Sequence, residues 1–179
     1  MRAERAGLNR AEHRAFSLLN WVCSIIAAAV IVALVFTLWF TGIRISDSGM
    51  SPTLYPGDVV LFDRLSMHIS MPKRGETYAF RTGGGTSVGR IIGLPGDRVE
   101  IREGNVYISG CLLDEDAYRP EGSWDMDGVT LGQGEFFIMP DDRQSGACDP
   151  AAMRVTQDRL IGRAALRVSP FLTACFFRA

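Results

Sequence analysis

The chain has 179 residues, of which 47% are hydrophobic and 22% are charged, and its formal net charge is -1. This length leaves room for one compact domain plus an accessory segment and excludes two large domains. Because the charge is nearly balanced and no basic cluster is interleaved with aromatic residues, the composition argues against a nucleic-acid-binding protein.

The first feature in chain order is a long apolar run. No residue between Ala15 and Ile43 is charged, and the run supplies the ~20 apolar residues that a helix needs to cross a bilayer core of ~30 Å. The pattern therefore predicts a transmembrane helix over residues 18–42. A cleaved signal peptide is the alternative, but its apolar core would span only ~7 to 15 residues.

The residues around this helix predict its orientation in the cell membrane. Trp21 and Trp39 lie near its two ends, where aromatic rings favour the headgroup region. The arginines that precede it mark the cytoplasmic side, and they are Arg2, Arg5, Arg10 and Arg14. We therefore expect a single-pass protein with a cytoplasmic segment at residues 1–17 and an extracytoplasmic domain at residues 43–179.

Beyond the helix, short runs rich in Val, Ile, Phe and Tyr are separated by Gly, Pro and Asp, a pattern typical of strands and turns. The predicted strands are "DVVLFDRL", "TYAFRT", "SVGRIIG", "DRVEIRE", "NVYISG" and "EFFIMP". "TGGGT" at 82–86 is a predicted hairpin loop, residues 112–130 are expected to leave the sheet, and the apolar tail of 159–179 is expected to pack on the domain or against the bilayer. The predicted fold class is mainly β: an N-terminal transmembrane helix followed by a β-rich, barrel-like domain.

The cysteines leave one structural question open. Cys23 lies in the predicted helix, whereas Cys111, Cys148 and Cys175 lie in the exported part. An extracytoplasmic compartment permits a disulfide, but the spacing does not select a pair. The spacing fits no zinc site either, and no cofactor is expected.

The segment "SWDMDG" carries acidic residues at spacings found in calcium-binding loops. Counted from Ser123, however, the position where such loops place a bidentate glutamate is occupied by Gly134. We interpret the segment as a solvated acidic loop and expect no metal site.

Five motifs in the exported part occur in a defined order. They are "GMSPTLYPGD" at 49–58, "MPKRGE" at 71–76, "GRIIGLPGDRVEI" at 89–101, "VYISG" at 106–110 and "LIGRA" at 160–164. In these motifs the chain resembles the bacterial type I signal peptidases over essentially the whole exported domain, and its single anchor is similar to their compact Gram-positive form. The resemblance implies a β-rich domain on the outer membrane face that removes leader peptides with a serine nucleophile and a lysine general base.

The two catalytic residue types follow from the chemistry. A serine hydroxyl attacks a peptide bond only when a positioned base takes its proton, and a lysine is such a base only when burial lowers its pKa. The resemblance places the nucleophile just before Met50, where this chain has Gly49, and the base just before Arg90, where it has Gly89. If the scaffold is intact, Gly49→Ser combined with Gly89→Lys is expected to restore the dyad geometry.

Ser48 and Ser51 are the remaining candidate nucleophiles. In an extended segment Ser48 would face away from the side that Gly49 faces, because adjacent side chains alternate. Ser51 would share that side but would be displaced by ~6.6 Å, which is too far for an attack that needs ~3 to 3.5 Å. Ser48 is therefore the better substitute, and Ser51 the weaker one.

No neighbouring side chain is a convincing replacement for the base. Arg90 keeps its proton, because the pKa of a guanidinium lies above ~12. Lys73 is the only lysine, but it lies in "MPKRGE", which in the family resembles a surface turn. His68 lies well before Gly89 in the chain, and we interpret it as a surface or structural residue.

A further family feature is an acidic, serine-bearing segment that supports the base, and it resembles "MPDDRQSGACDP" at 139–150. Asp141 and Arg143 align with it directly. If one inserted residue is allowed, Asp149 takes the place of its late aspartate and Ala147 takes the place of its serine. The resemblance therefore implies that this support has been lost together with the dyad.

Two apolar residues of the first motif have two interpretations. Met50 and Leu54 are either ordinary core residues or contacts to lipid headgroups beside the groove.

These residues together predict a groove that binds a polypeptide without cutting it. The predicted groove consists of Ser48, Gly49, Met50, Pro52, Gly89 and Arg90. The family binds substrate as an added strand, through main-chain hydrogen bonds and shallow pockets, so we expect a chaperone or assembly factor for exported polypeptides. The chain resembles the catalytically degenerate members that accompany sortase-dependent pilus assembly, which implies pilin segments, sortase and the lipid bilayer as partners. An active signal peptidase that uses Ser48 and an unrecognised base is the alternative.

Overall fold

The computed structural model describes residues 2–113, 125–142, 150–168 and 174–176. The chain divides into two compact units, Met1–Trp39 and Phe40–Ala179. The first unit is a helix, α1, at Arg2–Trp39. Its part from Ser17 to Trp39 is long and apolar enough to cross a membrane, and its side chains are exposed rather than packed in a core.

The second unit is built almost entirely of strands. They are β1 (Phe40–Arg44), β2 (Val59–Asp63), β3 (Thr77–Thr82), β4 (Gly85–Gly93), β5 (Arg98–Arg102), β6 (Asn105–Ile108), β7 (Cys111–Leu112), β8 (Met126–Thr130), β9 (Glu135–Met139), β10 (Arg154–Thr156), β11 (Leu160–Val168) and β12 (Ala174–Phe176). Where the structure describes the connections, they contain two short helices, α2 (Ser66–Ile69) and α3 (Pro150–Met153), and a 3-10 turn at Gln157–Arg159.

The described strands form two antiparallel sheets. The order of the first sheet is β1-β2-β11-β3-β4-β9-β10, with β12 beside β11, and the order of the second is β7-β6-β5-β8. The predicted mainly β class with an N-terminal apolar helix is confirmed. The barrel-like arrangement takes the form of two open sheets, because neither described order returns to its first strand.

The boundary between helix and strand differs from the prediction. The helix was expected to continue to residue 42, but β1 begins at Phe40. An apolar run alone does not distinguish helix from strand. Here Thr41 and Ile43 are β-branched, which favours a strand, and each pairs with a residue of β2.

Most of the predicted strands are present, and β3 matches "TYAFRT" residue for residue. A loop of residues 83–84 joins β3 to β4, as expected for the glycine-rich hairpin. One expectation was wrong. Residues 126–130 pair with β5 as β8, although Asp127 and Gly128 are poor strand formers, and residues 114–124 of the same predicted excursion lie outside the described residues.

The closing segment contains a strand that was not predicted. Leu160–Val168 forms β11, a central strand that pairs with β2, β3 and β12. Its Gly162, Ala164 and Ala165 have low strand propensity, so the local sequence does not indicate a strand. Pairing with neighbours that are distant in the chain outweighs that propensity.

Two clusters of buried side chains cover opposite faces of β3. Ala79 belongs to one cluster, together with Met50 and Leu54, whereas Tyr78 and Phe80 belong to the other. Because adjacent side chains of a strand point to opposite faces, β3 is buried on both. Met50 is 1% exposed and Leu54 is 0% exposed, so both are core residues and not contacts to lipid.

The structure answers part of the cysteine question. Cys111 lies in β7 as an exposed, free thiol, and Cys23 in α1 is also free and exposed. A disulfide therefore does not include Cys111. Cys148 lies outside the described residues, and its pairing stays open.

Candidate functional site

The segment predicted to carry the nucleophile, residues 47–54, is a succession of turns. The N–H of Ser51 donates to the carbonyl oxygen of Ser48 at 2.8 Å, and the N–H of Leu54 donates to that of Met50 at 2.7 Å. The expectation of an extended segment was therefore wrong, and strand alternation does not decide where Ser48 and Ser51 point. The buried side chains of Met50 and Leu54 hold these turns on the core of the domain.

Both backbone groups of Gly49 are already hydrogen-bonded. Its N–H donates to Oδ1 of Asp47 at 2.9 Å, and its carbonyl oxygen accepts the N–H of Asp142 at 2.9 Å. A Cβ atom at this position would lie 3.1 Å from Oδ1 of Asp47 and 3.8 Å from Cβ of Pro140. Position 49 therefore has room for a small side chain if the exposed Asp47 carboxylate shifts slightly.

Neither candidate serine has a described activating partner. Ser48 is exposed and Ser51 is half-buried. Within residues 2–113, 125–142, 150–168 and 174–176, no hydrogen bond from the Ser48 or Ser51 hydroxyl to a base is found. A hydroxyl without such a partner stays a weak nucleophile.

Position 89 has very different surroundings. Gly89 is buried in β4, opposite Tyr78 of β3. A Cβ atom on Gly89 would lie 2.6 Å from Cγ2 of Ile138, 3.1 Å from the carbonyl oxygen of Met139 and 3.4 Å from Cε1 of Phe80. The space into which a side chain at this position would project is therefore occupied by neighbouring side chains and backbone.

Arg90 connects the two positions through a charged network. Its Nε and Nη2 donate to Oδ1 and Oδ2 of Asp141 at 2.8 and 2.6 Å, a bidentate ion pair. Its Nη1 donates to the carbonyl oxygen of Gly75 at 2.7 Å, and the Thr53 hydroxyl donates to Oδ2 of Asp141 at 2.5 Å. The network thus joins the turns after β1, the turn before β3, β4 and the segment after β9.

The resemblance predicted Asp141 as a site residue but did not predict that Arg90 is its partner. Asp141 is 8% exposed, and its bidentate pairing with Arg90 ties the segment after β9 to β4. Arg143, Ala147 and Asp149 lie outside the described residues, so their predicted supporting role stays a prediction.

A second arginine, in β11, also holds these turns, and no motif in the sequence indicated it. Arg167 donates from Nη1 to the carbonyl oxygen of Thr53 at 3.0 Å and forms an ion pair with Asp58 at 2.8 Å. Its guanidinium also lies 5.5 Å from the ring centroid of Tyr55. Because β11 was not predicted as a strand, these contacts could not be expected.

The other candidate bases, Lys73 and His68, lie in the connection between β2 and β3. Lys73 is exposed in the turn before β3, where its backbone N–H donates to Glu76, so its interpretation as a surface residue is supported. His68 lies in α2. Burial, with the Glu76 carboxylate as the second cause, raises the pKa of Tyr78 to about 12. Tyr78 therefore keeps its proton at neutral pH and is no base.

Comparison with known proteins agrees with the motifs. The family model described as "Signal peptidase, peptidase S26" matches residues 18–169. The "Probable signal peptidase I-2" of Synechocystis is 30% identical over 151 residues, which cover 79% of this chain and 69% of that protein. "Signal peptidase I" of Bacillus licheniformis is 29% identical over 141 residues, 72% of this chain and 75% of that protein.

A third relative aligns over a longer part of the chain. "Signal peptidase IB" of Staphylococcus aureus is 25% identical over 173 residues, which cover 86% of this chain and 91% of that protein. The resemblance seen in the five motifs is thus confirmed over most of the sequence. The chain belongs to the signal peptidase family, peptidase S26.

Proposed function

We propose that this protein is a non-catalytic member of the signal peptidase family that binds exported polypeptides and does not cleave them. The observation that carries the proposal is the pair of glycines at the expected catalytic positions: Gly49 for the nucleophile and Gly89 for the base. At position 89 the side-chain space is filled by Ile138 and Phe80. Cleavage of a peptide bond by a serine–lysine dyad would therefore lack both the nucleophile and the base.

The size of the expected effect supports this proposal. In a serine protease, loss of the nucleophile or of its base lowers turnover on the order of a million-fold. A substitute would need a hydroxyl within ~3.2 Å of a neutral base. Among the described residues, neither Ser48 nor Ser51 has such a neighbour, and the guanidinium of Arg90 is held by Asp141.

The electrostatics at position 49 also oppose acyl transfer. Serine hydrolases commonly use the N–H of the nucleophilic residue to stabilise the negative oxygen of the tetrahedral intermediate. Here the N–H of Gly49 donates to the Asp47 carboxylate. A developing oxyanion would meet a carboxylate instead of a free donor, which raises its energy.

The scaffold that would hold a polypeptide is nevertheless well supported. The Arg90, Asp141 and Thr53 network and the buried side chains of Met50 and Leu54 fix the turns next to the glycines. Among the described strands, β1 pairs only with β2. Beyond Phe40, the second edge of β1 can therefore offer main-chain donors and acceptors to an added strand.

The proposed setting is the outer face of the cell membrane. The apolar segment Ser17–Trp39 is the membrane anchor, with the arginine-rich N-terminus in the cytoplasm and the β domain outside. In this setting the protein acts as a chaperone or assembly factor for exported polypeptides. Sortase-dependent pilus assembly, with pilin segments as clients and sortase as a partner, is the most specific form of the proposal.

The test uses the full chain in detergent micelles with a leader-bearing preprotein. We expect the preprotein to bind and to remain uncut, as measured by co-purification and by gel electrophoresis after prolonged incubation. The Ser48→Ala variant is the control and should behave identically. Cleavage by the native chain that Ser48→Ala abolishes would contradict the proposal and establish the active-peptidase alternative.

A further inference from the structure

The loss of a base at position 89 leaves no empty space behind. Replacing a lysine by glycine in a packed sheet removes a long side chain, and an unfilled site would be a cavity that destabilises the fold. In this structure Gly89 is buried, and the nearest atom to a Cβ placed on it is Cγ2 of Ile138, at 2.6 Å. Real Cβ atoms do not approach other atoms so closely, so any side chain at 89 requires a neighbour to move.

Ile138 is not free to move. It is 2% exposed and packs in a cluster with Tyr78, Phe80, Ile91 and Leu160. Its strand, β9, is fixed on β4 by the pairing of Ile91 with Ile138 and of Arg90 with Met139. An isoleucine also has two carbons on Cβ, which leave it few side-chain rotamers. The atom that blocks position 89 is therefore held by both packing and rotamer.

We infer that Ile138 closes the base position, so that the protein cannot accept a lysine at residue 89 until Ile138 is also changed. This inference rests on the proposed function, in which residue 89 is the vacated base position. It revises the expectation that Gly49→Ser combined with Gly89→Lys is sufficient to restore the dyad. Ile138 acts here by occupying space and takes no part in proton transfer.

The chemistry of the blocking atom indicates which substitution opens the position. Methionine has about the volume of isoleucine but no second carbon on Cβ, and its flexible chain fits irregular spaces. Ile138→Met therefore removes Cγ2 without leaving a large cavity. Ile91→Met is the matched control, because Ile91 is buried in the same cluster but is not among the atoms nearest to a Cβ at residue 89.

The first test is a double-mutant cycle on thermal unfolding of the full chain in detergent micelles. Gly89→Ala alone should lower Tm by about 5 °C, as expected for one methyl group forced into a packed core. In the Ile138→Met background this loss should shrink by about half, since the contact with the Met139 carbonyl oxygen remains. In the Ile91→Met background the loss should be unchanged.

The second test measures cleavage of a leader-bearing preprotein. In the restored site, the introduced neutral amine takes the proton of the introduced hydroxyl as its oxygen bonds to the carbonyl carbon. The ammonium then gives the proton to the departing amine, and water hydrolyses the ester. Gly49→Ser/Gly89→Lys/Ile138→Met should cleave at least about tenfold faster than the same variant carrying Ile91→Met in place of Ile138→Met.

Equal Tm losses for Gly89→Ala in the Ile138→Met and Ile91→Met backgrounds would overturn the inference, and so would equal cleavage rates of the two triple variants. The thermal cycle involves no catalysis. Its outcome is therefore separate from that of the proposed function, which fails if the native chain cleaves the preprotein or does not bind it.

Discussion

The two glycines that replace the expected dyad lie in contrasting regions of the domain. Gly49 lies in a partly exposed turn, where the nearest obstacle to a side chain is the tip of the exposed Asp47 at 3.1 Å. Gly89 lies in a sheet buried on both sides, where the obstacles are Ile138, Phe80 and a backbone carbonyl group. The comparison indicates that position 49 can accept a side chain after one substitution, whereas the packing around position 89 excludes one.

The largest expected effect comes from placing the same side chain in the two regions. Gly89→Lys should lower the free energy of unfolding by about 3 to 5 kcal/mol, because it overpacks the sheet and buries an amine. Gly49→Ser should change it by less than about 1 kcal/mol. Thermal unfolding measures both. Gly84→Lys, at the hairpin tip with nothing within 4 Å of its Cβ position, is the control and should be near neutral.

The next largest expected effect is loss of the Arg90–Asp141 ion pair, which links the two regions. Asp141→Ala should destabilise the domain by about 2 to 3 kcal/mol, because it leaves the partly buried guanidinium of Arg90 without its bidentate partner. Glu100→Ala, which removes the partner of the largely exposed Arg102, should have a much smaller effect, because exposed ion pairs are screened by solvent. Equal losses for Asp141→Ala and Glu100→Ala would show that the network does not stabilise the site.

The stability of the packed region around Gly89 is also expected to depend on pH in the alkaline range. The pKa of Tyr78 is raised from 10.0 to about 12 by burial and by Glu76, so the folded state favours the protonated phenol. This contribution to stability is fully present below pH 10 and is lost as the pH rises towards 12. The loss should reach up to about 2 kcal/mol once solvent screening is allowed for.

Thermal unfolding of the native chain and of Tyr78→Phe between pH 9 and 12 measures this contribution. The native protein should lose more stability over this range than the variant does. Parallel pH profiles of the two proteins would show that Tyr78 does not titrate differently in the folded state.

The smallest expected effect on stability comes from a substitution in the exposed turn that contains Gly49. Asp47→Ala removes the acceptor of the Gly49 N–H, and it should lower stability by about 1 kcal/mol. Hydrogen exchange of the Gly49 amide should become faster. Asp47→Asn keeps an acceptor oxygen and should preserve most of the protection, so equal exchange in both variants would contradict the hydrogen bond.

The sequence predicted the parts of the molecule that depend on local pattern. β3 was predicted residue for residue because a short run that includes Tyr78 and Phe80 is followed by a glycine-rich hairpin, and positions 49 and 89 followed from the order of the motifs. The obstruction by Ile138 depends on how β9 pairs with β4, and the Arg167 contacts depend on β11. Neither feature can be recognised from the local sequence. β11 is formed by residues of low strand propensity, and the register of β9 on β4 is set between segments that are distant in the chain.

The Arg90 guanidinium has a consequence for binding. It reaches Gly75, Asp141 and, through the Asp141 carboxylate, Thr53, three stretches that are far apart in the chain. The turns beside Gly49 should therefore unfold together with the sheet, as one cooperative unit. Under the proposed function, a polypeptide that docks there meets a preorganised surface and loses little entropy in ordering it, so its docking should protect the β domain against heat and proteolysis.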